Sequence, residues 1–165
     1  MATAPKKTTT RKTSAKSPKA LDATALLRAD HKAVSDLFAE YEKTRSPVRK
    51  MALVSKICTE LSVHAQVEEE IFYPAVKAAL KDKELVPEAI VEQATMKALI
   101  AQVEGVTPDG EMFDAKVRVL AEYVKHHVKE EHTEMFPKAK ASKLDMADLG
   151  ARLAARKSEL MAQRA

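Results

Sequence analysis

The sequence predicts an all-α chain: an antiparallel, up-down-up-down four-helix bundle with a disordered basic N-terminal tail and a short C-terminal amphipathic helix. Three observations support this. Only three of the 165 residues are glycine while 45% are hydrophobic, and many of those are Ala, Leu, Val and Met, which favour helix over sheet. Apolar side chains recur at intervals of three and four rather than two. Residues that start or break helices fall between these stripes.

Asp22 is positioned to cap a first helix, along which Leu27, His31, Val34, Phe38 and Tyr41 share one face. His31 is therefore expected to point inward. Ser46 and Pro47 supply a cap and a first-turn proline for a second helix, with Leu53, Ile57, Leu61, His64, Glu68 and Ile71 in its stripe. Pro87 is expected to open the third, whose inner face carries Ala89, Gln93, Met96, Ile100 and Val103. The turn signal TPDG, residues 107 to 110, separates it from a fourth with Val117, Leu120, Val124, His127 and Glu131 aligned. Four helices with short connections pack most simply as an up-down-up-down bundle. Residues 145 to 162 follow as an amphipathic helix despite Gly150, and it is free to cap the bundle, mediate association or lie on the surface.

Charge divides the chain differently. Of the 28 basic residues, six fall within residues 1–20, which hold no acid, so the remainder carries 22 basic against 24 acidic side chains. The tail, rich in Lys, Thr, Ser, Ala and Pro, has too little apolar surface to offset the entropy of ordering. It reads as a solubilising leader or as an arm for non-specific contact with nucleic acid. The expected division is thus tail 1–20, bundle 21–140 and helical extension 141–165. The lone Cys58 cannot form an internal disulfide and is expected to pack. With no secretory signal pattern and no long apolar run, a cytoplasmic, membrane-free protein is expected.

The informative feature is an echo. HAQVEEEIFYP from His64 and HVKEEHTEMFP from His127 share His, three residues, Glu, five residues, Pro. Residues four apart on a helix lie side by side, so His64 with Glu68, and His127 with Glu131, form matched pairs on apolar stripes. Two carboxylates in one core require a compensating charge, and a cation supplies it. His31 precedes His64 by 33 residues and Gln93 precedes His127 by 34, so the chain reads as a duplicated hairpin. A lone core His is commonly a hydrogen-bonded packing residue, and one His/Glu pair is commonly a surface ion pair. Both pairs on inward stripes at matched spacing point to a metal site instead. Mixed nitrogen and oxygen donors without thiolate suit iron or manganese, and zinc also.

Around the motif, Glu69, Glu70, His126, Glu130 and His132 read as a solvated face, although a one-residue change of register would exchange His126 and Glu130 for the preferred pair. Tyr73 and Tyr123 read as packing residues that are also able to lend a hydroxyl. Pro74 and Pro137 are expected to kink or end their helices beyond the ligand turns.

RADHKAVSDLF, HAQVEEEIFYP and EYVKHHVKEEHTEMFPKA resemble the bacterial haemerythrin-like, or HHE cation-binding, domains over about residues 22 to 140. The resemblance implies a non-haem di-iron centre inside the bundle, with His31, His64 and His127 as terminal ligands and Glu68 and Glu131 as bridges. It implies binding of, or reaction with, dioxygen, peroxide or nitric oxide, as carrier, sensor or low-turnover oxidoreductase. One position departs: such domains usually carry His where this chain has Gln93, and an amide oxygen is a weaker donor. Gln93, a water or the neighbouring Glu92 is then left to complete the second metal, and an asymmetric site is expected. The second functional class is a nucleic-acid-associated protein in which the basic tail engages the partner and the bundle is a scaffold.

Overall fold

The structure is a computed structural model and describes residues 20–165. The tail expectation for residues 1–19 lies outside them. The described residues are helical with no strand: α1 (Ala23–Lys43), α2 (Pro47–Val67), α3 (Tyr73–Leu80), α4 (Leu85–Val103), α5 (Glu111–Glu130), α6 (Phe136–Ala141) and α7 (Met146–Arg164). Two π-turns, Glu68–Phe72 and Glu131–Met135, join α2 to α3 and α5 to α6 without a break.

Local chemistry explains most boundaries. The Asp22 carboxylate accepts from Ala25 N at 2.9 Å and starts α1, and the Ser46 hydroxyl accepts from Arg49 N ahead of Pro47. Helix α4 begins at Leu85, two residues before the proline expected to open it. The reason is Asp82, whose carboxylate accepts from Leu85 N at 3.1 Å and Val86 N at 2.8 Å and satisfies donors that a helix start leaves free. Lys81, with φ at 51°, adopts the left-handed conformation that ends α3.

The prolines neither end nor break their helices. Pro74 and Pro137 are the second residues of α3 and α6, one residue past the π-turns, and the chain stays helical to Leu80 and Ala141. In each π-turn the bond reaches back five residues, from Tyr73 N to Glu68 O and from Phe136 N to Glu131 O. That extra residue shifts the helix phase. Ile71, expected on the inner stripe, is consequently only half-buried, while Phe72 and Tyr73 turn inward and are fully buried.

Helix α1 packs on α2, α4 on α5, and α7 lies across α1 and α2. Tyr41 near the end of α1 donates to Asp114 near the start of α5, while His31 faces Glu131 beyond the end of α5. Two apolar clusters result. One holds Val34, Tyr41, Leu53, Ile57, Cys58 and Phe113 among others. The other holds Leu27, Val67, Phe72, Tyr73, Phe136 and three leucines of α7, Leu149, Leu153 and Leu160. Burying each leucine is worth about 1.5–3 kcal/mol, so α7 is a core element. Its glycine is what permits the approach: a Cβ at Gly150 would lie 2.3 Å from Leu21 O.

Candidate metal centre

Between the two apolar clusters lies a polar belt. His31, His64, Glu68, Gln93, His127 and Glu131 are all within it, and none is more than 8% exposed. Helix α1 supplies His31, α2 supplies His64, α4 supplies Gln93 and α5 supplies His127. Each carboxylate opens a π-turn, so the sequence echo is also a structural one.

Donor atoms of His31, His64, Glu68 and Glu131 lie within 4.8 Å of one another. His31 Nε2 is 3.0 Å from His64 Nε2 and 3.5 Å from Glu131 Oε1. His127 Nε2 is 3.0 Å from the same Glu131 oxygen, and His64 Nε2 touches Glu68 Oε1. Gln93 stands apart from these four: its Nε2 donates to the Tyr73 hydroxyl at 3.0 Å. That hydroxyl is 3.1 Å from His127 Nε2 and donates to Glu131 Oε2 at 3.5 Å.

The outer nitrogens explain the inner ones. His64 Nδ1 donates to Asp30 Oδ2 at 3.0 Å, and Lys157 of α7 holds the other Asp30 oxygen at 2.5 Å. His127 Nδ1 donates to Glu92 Oε1 at 3.1 Å. His31 Nδ1 pairs with His132 Nε2 at 2.8 Å. Each imidazole thus has its outer nitrogen engaged and turns Nε2 toward the centre, the arrangement in which a partner orients a metal-binding His.

The centre is chemically incomplete by itself. Both oxygens of Glu68, Oε1 of Glu131 and Oε1 of Gln93 are buried without a well-directed hydrogen bond, although His64 Nε2 lies against Glu68 Oε1 and His127 Nε2 against Glu131 Oε1, an arrangement native cores rarely carry. Protons then replace the missing charge. Burial and the facing Glu131 raise the Glu68 carboxyl. Burial opposes charge on His64, but Glu68 and Asp30 outweigh it and raise the imidazole to about 10. His127 is likewise raised against its burial, to about 9, chiefly by Glu131. His31, which lacks such a hydrogen-bonded carboxylate, is pushed down by burial to about 3. A cation displaces such protons and satisfies the orphaned oxygens together, and the mixed His and carboxylate donors fit a borderline divalent metal.

Sequence reasoning left several partners out. His132, read as a solvated residue, is instead half-buried and bonded to His31, because the π-turn after Glu131 swings it back toward α1. Glu92 does not point into the centre but braces His127 from outside. Tyr73 enters the site through its hydroxyl, whereas Tyr123 is 43% exposed. Asp30 and Lys157 carried no local signal: the aspartate directly precedes His31, but its partner lies 127 residues away. The register alternative fails, since His126 and Glu130 lie outside the belt.

Fold and site define a helical protein with a buried His and carboxylate cluster able to hold a cation. The chain belongs to the hemerythrin HHE cation binding family, whose model matches residues 22–139. A solved hemerythrin HHE cation binding domain-containing protein from Mycobacterium kansasii superposes with a TM-score of 0.72 at 20% identity, covering 87% of this chain and 89% of that one. A DNA nickase from Nostoc sp. strain PCC 7120 is 32% identical over 111 residues, 67% of this chain. Those residues are 31% of the nickase, so the chain spans about a third of that relative.

Proposed function

We propose that the chain holds a pair of non-haem iron ions between its helices and presents them to a small ligand such as dioxygen, peroxide or nitric oxide. The observation that carries this reading is the set of buried oxygens on Glu68 and Glu131 that lack a well-directed hydrogen bond amid three inward-facing imidazoles. In this reading residues 21–140 are an antiparallel up-down-up-down bundle, and residues 141–165 brace it through Lys157. His31, His64 and His127 would supply imidazole nitrogens to the pair, and Glu68 and Glu131 would supply the carboxylates shared between the ions. Manganese and zinc suit the same donors.

Such a centre supplies electrons and an open coordination position. The chain's own residues decide what reaches it. A chamber of about 30 Å³ adjoins His31, His64, Gln93 and His127 and is walled by Val34, Leu61, Met96, Ile100 and Val124. That is room for a molecule of two or so heavy atoms, in walls that water does not favour. Asp30, Glu92 and His132 hold the imidazoles in place.

The second half of the site is the looser one. By the internal repeat, Gln93 corresponds to His31, and Tyr73 corresponds to Phe136, which stacks at 6.0 Å on His31. The His and Phe of one half are thus exchanged for Gln and Tyr in the other. The phenol oxygen then stands where an imidazole nitrogen is missing and serves as ligand or proton donor there.

A nucleic-acid-associated role is the second reading, favoured by the Nostoc relative's name and by the basic residues 1–20. Paired metals also serve phosphodiester hydrolysis. Burial ranks it second, because ligands at most 8% exposed are out of reach of a phosphate backbone while the helices stay packed. Elemental analysis of aerobically purified full-length protein, with its absorption spectrum, tests the first reading. Two irons per chain with an oxo-bridged spectrum are expected. One metal or none after reconstitution with ferrous iron would overturn it, and salt-sensitive DNA binding lost on deleting residues 1–20 would support the second.

A further inference from the structure

We propose that Glu92, His126 and Glu130 form a second, outer divalent-cation site in a surface groove beside a small cavity that borders the buried centre. Their donor atoms also lie within 4.8 Å of one another. Glu92 Oε2 and Glu130 Oε1 approach the same nitrogen, His126 Nε2, at 3.2 and 3.1 Å. One N–H cannot serve two carboxylates well, whereas one cation can take all three donors. His126 and Glu130 repeat the His/Glu spacing of His127 and Glu131 one residue earlier, so α5 carries two ligand pairs on adjacent faces, one buried and one facing solvent.

The location is the second, independent observation. The trio lines a surface groove with Pro87, Glu88 and Val91. A small cavity of about 10 Å³ is lined by Glu92 and Glu130 of this trio together with His127 and Glu131 of the buried centre. That is space for about one water or ion. Glu92 touches both clusters, with Oε2 on His126 and Oε1 on His127 Nδ1.

The donors suit ferrous iron, zinc or manganese. Three protein ligands with the imidazole 62% and Glu130 42% exposed leave coordination positions to water, which favours exchange over storage. The outer site therefore captures the cation and passes it inward. This transit role rests on the buried centre being a metal site; the outer site itself does not.

The test is equilibrium dialysis of the full-length, iron-loaded chain against Zn²⁺, counting zinc and iron together, with the double variant His126→Ala/Glu130→Gln alongside. Both side chains are surface residues, so the fold and the buried iron are expected to persist. The expected result is zinc bound in addition to iron in the parent chain and lost in the variant, with slower uptake of Fe²⁺ by the metal-free variant. Zinc binding that survives both substitutions would overturn the site, and equal uptake rates would overturn the transit role. Zinc measured on Glu68→Ala, which lacks a bridging ligand of the buried centre, separates this proposal from that of the centre: outer binding retained there stands even if no iron pair forms.

Discussion

Gln93 donates its amide to the Tyr73 hydroxyl at 3.0 Å in a position where neither side chain is more than 1% exposed. The bond links α4 to the start of α3, just past the first π-turn, and leaves Gln93 Oε1 without a partner. Tyr73→Phe removes the bridging oxygen and is expected to weaken the second metal while leaving the first, which His31 and His64 serve. Gln93→His in that background recreates the pairing of His31 with Phe136. The double variant should therefore bind the second iron more tightly than the parent chain. Metal titration followed by absorbance checks both, and unchanged affinity in the double variant would refute the correspondence of the two halves.

Removing a carboxylate from the belt should weaken both metal binding and fold. Glu68→Ala and Glu131→Ala are each expected to lose paired-metal binding, because each would delete a bridging carboxylate of the proposed pair. In the metal-free chain, Glu68 Oε1 lies against His64 Nε2, and this carboxylate helps raise the imidazole to about 10. Glu68→Leu removes one partner of that buried pair and should destabilise the metal-free form by roughly 3–5 kcal/mol, the range for deleting one member of a buried ion pair. Urea unfolding of metal-free protein is the measurement. An unchanged or stabilised metal-free Glu68→Leu chain would mean that no ion pair holds the cluster without metal.

The belt was legible in the sequence because its ligands obey a local rule. Side chains four apart on an amphipathic helix are neighbours whatever else the chain does, so His64 with Glu68 and His127 with Glu131 could be read directly. His31, Gln93 and the inner faces of α4 and α5 followed from the same period. What escaped were features set by non-local contact. A π-turn adds one residue to the helix phase and has no compositional mark, so the α-helical period puts Ile71 inward and leaves the Tyr73 hydroxyl as only an optional contributor to the site. His132 looked solvated because its partner, His31, lies 101 residues earlier. A proline is a visible start signal, so the sequence points to Pro87 for α4, whereas the Asp82 cap, three residues ahead of Leu85, starts the helix earlier.

Lys157 links the last helix to the first imidazole pair. Its Nζ is 2.5 Å from Asp30 Oδ1, and the other Asp30 oxygen fixes His64 Nδ1. Replacing it by Met keeps the stem that packs on α1 and removes the charge, leaving Asp30 nearly buried without its cation. Partners of this kind typically contribute about 10–100-fold to metal affinity. Lys157→Met is expected to lose affinity within that range, read by competition with a chelator, with helix content unchanged. Full affinity in the variant would mean that His64 is held by packing alone.

Gly150 sets how closely α7 approaches the start of α1. A Cβ there would fall 2.3 Å from Leu21 O, 2.7 Å from Asp22 C and 2.9 Å from Ala23 N. All three are backbone atoms, so no flexible side chain can yield. In an ordinary exposed helix, Gly→Ala stabilises by about 0.5–1 kcal/mol; here the sign reverses. Gly150→Ala should destabilise by about 1–3 kcal/mol as the helices are forced apart, lowering Tm by about 2–4 °C per kcal/mol for a chain of this size. The displacement also carries Lys157 away from Asp30. The variant should therefore lose metal more readily than its stability alone explains, and Gly150→Ala combined with Lys157→Met should add little further loss. Additive losses would separate the two residues and leave α7 as a packing element only.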